Sequence, residues 1–318
     1  MQAVKRTLFP NIPLYRLHRK ICIQPAYFRL LLNTGSVLSR SEGRGRKQLD
    51  YLKIRRRHIF DSHTHYDDVR YEEDPSIPSR DELLQTLFEQ EVKLILNAGT
   101  NLDSSRKSLA LAEKYPGMYA AVGIHPHDAE NIEDDLDALR SLRELLYHEK
   151  AVAIGEIGLD FHYDFSDRAM QLKWFELQME LASRTGYPVV IHDREAHGIC
   201  MDMIRQFPRV RGVVHSYSGS AEMAKELIRL GYYISVSGVV TFKNAGRILE
   251  VVKAVPIERI LIETDCPYMT PHPFRGRINH SGYVKYIAKT VAKLKEMEYV
   301  DVCDITCSNA CSLFGIEQ

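Results

Sequence analysis

The sequence predicts an α/β protein, a (β/α)8 TIM barrel preceded by an extra basic segment, and three observations carry that expectation. From residue 58 onward eight short β-rich runs alternate with amphipathic stretches, the signature of βα units in a parallel sheet. Six of these runs carry a histidine or an acid at or near their end, where such barrels carry their functional groups. No glycine-rich phosphate fingerprint follows the first run, which disfavours the open doubly wound sheet.

The runs, in order, are HIFDSH from 58, KLILNAG from 93, MYAAVGIH from 118, KAVAIGEIG from 150, YPVVIH from 187, RGVVHS from 211, YYISVSG from 232 and RILIETD from 259. Between them lie helical patterns such as DRAMQLKWFELQMELASRTG. There Trp174, Leu177 and Leu181 recur on one helical face, and Gly186 stands where a helix would stop. Eight such units in about 260 residues match the size of a (β/α)8 barrel. A chain of 318 residues with 45% hydrophobic content can bury a core of that size.

The net charge of zero conceals two different parts. Residues 1–57 hold 14 Lys and Arg against only Glu42 and Asp50, a net +12, so residues 58–318 carry −12. The leading segment is Arg-rich and acid-poor. Its apolar stretch ICIQPAYFRLLLNTGSVL is interrupted by Pro25 and Arg29, so it fits neither a membrane span nor a secretory signal. Two readings of it stand side by side: an organelle presequence, and translation from upstream of the true start. The second needs a non-Met start codon near residue 57, since no Met occurs between Met1 and Met118. Either way the expected division is a poorly structured basic extension at 1–57 and a hydrolase barrel at 58–318. Six cysteines without dense or paired spacing argue for a reducing compartment rather than a disulfide scaffold. Cys303, Cys307 and Cys311 form one helical stripe, expected to pack on the barrel as small apolar residues in preference to forming a thiolate cluster.

The strand ends point to chemistry. His63 and His65 are two apart, so in an extended chain they project to one side and can grip one metal ion. His125, Glu156, His192, His215 and Asp265 end strands three, four, five, six and eight. Turn chemistry would use Gly, Asn and Ser at such positions, whereas all seven of these side chains can ligate metal. Strands one and eight are neighbours in a closed barrel, so His63, His65 and Asp265 are expected to hold a first metal. His192 and His215 would hold a second, with Glu156 bridging both. Two ions about 3.5–4 Å apart can share a water, lower its pKa and stabilise a leaving oxygen, the equipment for hydrolysis. Imidazole-rich ligation suits Zn²⁺ or Mn²⁺, Mg²⁺ prefers oxygen, and the identity of the ions stays open among the three.

The ordered motifs IFDSHTHYDD, GIHPHD, AIGEIGLDFHYD, PVVIHDRE, VVHSYSG, ETDCPYMTPHPFRGRIN and NACSLFG resemble those of the TatD family of metal-dependent deoxyribonucleases, within the amidohydrolase superfamily. The resemblance spans residues 58–318. It implies a TIM barrel, divalent metals and 3′ to 5′ exonuclease action on DNA, in some members also on RNA. The implied ligands are His63, His65, Glu156, His192, His215 and Asp265, and a cytoplasmic protein is implied by the likeness to bacterial members. Many binuclear amidohydrolases bridge their metals with a carboxylated lysine on strand four, and Glu156 in its place favours phosphodiester hydrolysis. Two positions depart from the family: Ser216 where Cys is frequent, and Ser312 where Arg is usual. The first is expected to tune a neighbouring ligand slightly and the second to touch stability.

The expected mechanism has a hydroxide bridging two metals attack phosphorus in line, with Asp265 orienting the water and accepting its proton. His125 would touch the phosphate or protonate the leaving oxygen, and His127 is a weaker substrate-binding candidate. Arg275, Arg277 and Asn279 would meet flanking phosphates. Asp61 would orient the site from behind, and Asp67 and Asp68 would be loop residues at the rim. The expected partners are DNA 3′ ends, with RNA or tRNA as alternatives, no membrane, and a monomer favoured. Net −12 on the barrel disfavours broad duplex binding and favours a chain end entering a metal-loaded mouth. Two rival functions stand beside the nuclease, a D-aminoacyl-tRNA deacylase and a non-catalytic metal- or nucleic-acid-binding protein.

Overall fold

The structure, a computed structural model, describes residues 58–317. The expectation for residues 1–57 therefore lies outside the described residues. Eight parallel strands form one sheet in chain order: β1 Ile59–Thr64, β2 Val92–Ala98, β3 Met118–Val122, β4 Ala151–Asp160, β5 Val189–Arg194, β6 Gly212–Val214, β7 Tyr233–Val236 and β8 Ile260–Ile262. Each coincides with one of the eight runs. The last residue of β1 meets the chain just beyond β8, through the parallel bridge of Thr64 with Cys266. There His65 N–H donates to Cys266 O at 2.8 Å, and Asp265 N–H donates to His63 O at 3.0 Å. The fold is the (β/α)8 barrel that the alternation predicts.

The helices between strands start and stop where local chemistry dictates. The helix Arg168–Thr185 begins at Asp167, whose carboxylate accepts from Ala169 N–H. It ends at Gly186, which adopts φ 80° and donates to Ala182 O. Trp174, Leu177 and Leu181 are buried on its inner face, as their spacing predicts. Ser79 and Glu82 form a capping box at the helix Arg80–Glu89.

Inside the barrel the second residues of the strands, Phe60, Val152, Val190, Val213 and Leu261, form one apolar cluster. The helix Tyr299–Phe314 adds Cys307, Ala310, Cys311 and Phe314 to it, so it seals the N-terminal end of the barrel. The cysteine stripe is thus core. Ser312 is exposed on that helix, outside the apolar cluster. With the bottom filled, the polar strand ends are left at the opposite mouth.

One glycine sets the approach of two strands at the mouth. Gly158 in β4 has φ 138° and pairs with His192 in β5; a Cβ there would lie 2.0 Å from the His192 carbonyl oxygen. Only glycine fits both the dihedral and the distance.

Candidate active site

The C-terminal ends of β1, β4, β5, β6 and β8 bring six of the seven strand-end groups into one cluster, with His125 at its edge. His63 and His65 face each other at 3.1 Å between their Nε2 atoms. Glu156 reaches His63 Nε2 at 3.2 Å and His65 Nε2 at 3.5 Å through Oε2. Its Oε1 lies 2.8 Å from both His192 Nδ1 and His215 Nε2. Asp265 Oδ1 is 3.8 Å from His63 Nε2 and 3.6 Å from His65 Nε2. Asp265 holds φ 56° and Ser216, beside His215, φ 39°; both lie in the left-handed region that non-glycine residues seldom adopt. Strain of this kind concentrates at functional sites.

The tautomers are set from outside the cluster. His65 Nδ1–H donates to Ala98 O at 2.9 Å, which turns the lone pair of Nε2 inward. His192 Nε2–H donates to Asp160 Oδ2 at 3.1 Å, which leaves Nδ1 facing Glu156 as an acceptor. His215 Nδ1 lies 3.3 Å from Glu263 Oε1, poorly aligned for a hydrogen bond, yet the carboxylate's charge still favours a proton on that side. Ser216 N–H donates to the same Glu263 oxygen at 2.7 Å, and Ser216 Oγ is 2.8 Å from Ser237 Oγ. Ser216 is thereby tied to the carboxylate behind His215.

Imidazole nitrogens and carboxylate oxygens that converge this closely repel one another unless a cation lies among them. Ligand atoms of His63, His65 and Asp265, of His63, Glu156 and His215, and of His125, Glu156 and His192 form three groups, each with its atoms within 4.8 Å of one another, and Glu156 is common to the last two. This donor set fits divalent metal ions at two adjoining sites that share Glu156. Burial alone would raise the Glu156 carboxyl, but the surrounding His215, His125 and His63 hold it well below the usual carboxylate range. Asp265 is lowered in the same way, burial being outweighed by the His65 hydrogen bond and the nearby imidazoles. Both carboxylates are therefore ionised, as ligands must be.

His125 differs from the others. Its Nε2 is 3.4 Å from Glu156 Oε1, within reach of a shared metal with His192. Yet its Nδ1 accepts from His127 N–H at 3.1 Å, which places the ring proton on Nε2 and aims a donor at the centre. Burial pushes its pKa down to about 4, so the ring is neutral at pH 7 and donates a hydrogen bond rather than a proton.

A family profile described as "TatD related DNase" matches residues 60–315. The chain belongs to the TatD family. It is 40% identical over 260 residues to the uncharacterized metal-dependent hydrolase YabD of Bacillus subtilis (strain 168), covering 81% of this chain and 99% of that one. It is 31% identical over 264 residues to the uncharacterized metal-dependent hydrolase YcfH of Escherichia coli (strain K12), covering 81% and 96%. Among solved structures, the TatD homologue YJJV of Escherichia coli superposes with a TM-score of 0.75 at 30% identity, over 83% of this chain and all of that one. Family membership and the paired donor clusters together make this chain a divalent-metal-dependent hydrolase of the amidohydrolase superfamily.

The remaining predicted residues of this TatD-family site fall into two groups. Arg275 and Arg277 are exposed and line an open cavity of about 450 Å³ with Arg70 and Tyr268. The Tyr268 ring lies 6.2 Å from that of His65, so this cavity adjoins the cluster. Asn279, by contrast, is fully buried: its Nδ2 donates to Thr264 O and Tyr268 O, and its Oδ1 accepts from His280 N–H. The expected phosphate contact of Asn279 is corrected, because all its polar atoms are spent bracing the loop. Asp61 grips Thr264 through both oxygens, accepting from its N–H at 2.8 Å and its Oγ1 at 2.6 Å, and so fixes the residue before Asp265. Burial raises the Asp61 carboxyl to about 7 despite these bonds. Asp67 accepts from Asn97 and Ser104, and Asp68 pairs with Arg70 at 2.7 Å.

Two carboxylates escaped the sequence reading, Asp160 and Glu263. Asp160 Oδ2 accepts from His127 Nε2 at 2.8 Å as well as from His192. Strand parity held the signal: Asp160 is four residues after Glu156 and Glu263 two before Asp265, both on a ligand's side of an extended chain. Among the described residues no helix is long and apolar enough to cross a membrane.

Proposed function

We propose that this hydrolase is an exonuclease that removes nucleotides from the 3′ end of DNA. The observation that carries the reading is the basic cavity beside the ligand cluster. Arg275 and Arg277 gather there beside the Asp68-paired Arg70, on a barrel whose residues 58–318 carry net −12, a local reversal of charge suited to phosphates flanking the scissile one.

His63, His65 and Asp265 would hold one divalent ion, His192 and His215 the other, and Glu156 both. Such ions supply a water ionised near neutral pH and neutralise charge at phosphorus. The protein's own groups do the rest. Asp265, ionised and beside His63 and His65, is positioned to orient the attacking water and take up its proton. His125 Nε2–H donates to a phosphoryl oxygen as charge grows on it. Asp160, Glu263 and the Ala98 carbonyl hold His192, His215 and His65 in the ring orientation the reaction needs. Arg275 and Arg277 pair with phosphates on the retained strand.

Residues 58–318 are taken as the catalytic unit and 1–57 as an extension that contributes nothing to it, a division supported by the family match beginning at residue 60. We read the protein as a monomer in a reducing, cytoplasmic setting, a reading supported by the burial of all five described cysteines, which keeps their sulfurs from interchain disulfides. The alternative substrate, a D-aminoacyl ester at a tRNA 3′ end, uses the same ions to polarise a carbonyl. Parallel assays with end-labelled single-stranded DNA and with D-aminoacyl-tRNA separate the two. Stepwise shortening from the 3′ end supports the nuclease; ester cleavage with intact DNA overturns it.

A further inference from the structure

The loop between β4 and the helix Arg168–Thr185 carries two large aromatic side chains that the core does not take up. Tyr163 is 52% exposed and Phe165 67% exposed. Their rings stack with centroids 5.3 Å apart and 18° between the planes. The His127 ring meets both edge-on, 4.8 Å from Phe165 and 5.8 Å from Tyr163. The Arg194 guanidinium lies 5.8 Å over Tyr163. A stacked pair held in water forgoes the burial either ring would gain in a core.

The loop is pinned in this arrangement. Asp160 Oδ1 accepts from the backbone N–H of His162 at 3.0 Å and of Tyr163 at 2.9 Å, while its Oδ2 holds His127 and His192. Ser166 Oγ donates to His127 O at 2.8 Å, and Arg168 grips Asp164. One carboxylate therefore sets the register of a metal-ligating histidine, of His127 and of the aromatic pair together. The pair lies a single imidazole away from the reacting centre.

We propose that Tyr163 and Phe165 form a stacking platform for the unpaired 3′-terminal nucleobase of the substrate. The inference rests on the nuclease reading and names what that site selects, an unpaired end. Every base offers a π-face, so stacking recognises a terminal nucleotide without regard to sequence. The cation of Arg194 beside the platform suits a nucleotide better than an apolar protein segment. Stacking is also an uncharged grip, so a barrel of net −12 can hold a polyanion end with less dependence on salt than phosphate contacts alone would give.

The test uses the metal-loaded protein and a single-stranded oligodeoxynucleotide with 2-aminopurine as its 3′-terminal base and an uncleavable terminal linkage. Binding to the native protein should quench the 2-aminopurine fluorescence, and Phe165→Ala and Tyr163→Ala should abolish most of that quenching. On the cleavable oligonucleotide each should raise KM about 10-fold, within the range for one base–aromatic stack, with a far smaller change in kcat. Tyr163→Phe should restore both readouts. An abasic 3′ residue should impose the same KM rise on the native protein and no further rise on Phe165→Ala. Quenching that survives both alanine substitutions, or an abasic end cleaved as well as a normal one, overturns the platform. Cleavage without quenching overturns the platform and leaves the nuclease standing; quenching without cleavage does the reverse.

Discussion

Asp160→Asn is the substitution whose outcome the geometry constrains most tightly. The native carboxylate accepts four hydrogen bonds, two on each oxygen. Oδ1 takes the backbone N–H groups of His162 and Tyr163, and Oδ2 takes the ring N–H groups of His127 and His192. An asparagine has one oxygen to offer, so its NH₂ must face two donors whichever way it turns. With the oxygen on the backbone side, His192 can satisfy the amide only by moving its proton to Nδ1. That is the nitrogen 2.8 Å from Glu156, and once protonated it no longer offers the lone pair that the proposed metal site needs. Loss of such an outer partner costs about 10–100-fold in metal affinity. That equals about 1.4–2.8 kcal/mol, which agrees with the range of about 1.5–3 kcal/mol for a hydrogen bond to a charged group. Isothermal titration of metal into the variant should show one of two ions bound more weakly by this factor, with far-UV circular dichroism unchanged. Two ions bound with native affinity would refute the argument that Asp160 fixes the His192 tautomer.

Three further outcomes follow from residues around the site. Gly158→Ala should destabilise the barrel by about 2–4 kcal/mol in urea unfolding, because it adds strain at φ 138° to a clash with the His192 carbonyl. Asn279→Ala should lower stability by about 1–3 kcal/mol by stranding the carbonyls of Thr264 and Tyr268, visible as a lower Tm, without the selective rise in KM expected of a phosphate contact. His280 is pushed down to about 4 by burial and by Lys285, so its contribution is complete above its unfolded pKa of about 6.5 and is lost as pH falls toward 4. The loss should reach about 3 kcal/mol at most, and His280→Asn, which keeps an acceptor for Gly282 N–H, should flatten that part of the stability–pH curve.

The barrel was legible because eight β-rich runs and their intervening helical faces obey two simple periodicities, and each run became a strand. His63, His65, Glu156, His192, His215 and Asp265 were legible as a group because a barrel brings strand ends together whatever their separation in sequence. What residue type could not reveal was the direction of individual hydrogen bonds. Asn279 sits in an Arg-rich loop and reads as a phosphate contact, yet it is drawn inward by two carbonyls that a folded loop must satisfy. His125 reads either as a phosphate contact or as an acid, and a single backbone N–H from His127 fixes its tautomer as a donor, which favours the first. The role of Asp160 and Glu263 is not set by residue type, because it depends on which ring nitrogen each meets in the fold.

The central claim is that two ions, held by one shared carboxylate, make this chain a nuclease acting from the 3′ end. It is tested most directly by titrating Mn²⁺ or Zn²⁺ into the metal-stripped protein while following both bound ions and shortening of a 5′-labelled single-stranded oligonucleotide. The expected result is no cleavage without metal, full activity only as the second equivalent binds, and products shortened one nucleotide at a time from the 3′ end. Full activity in the stripped protein or at a single equivalent, or DNA left intact at two, would contradict it.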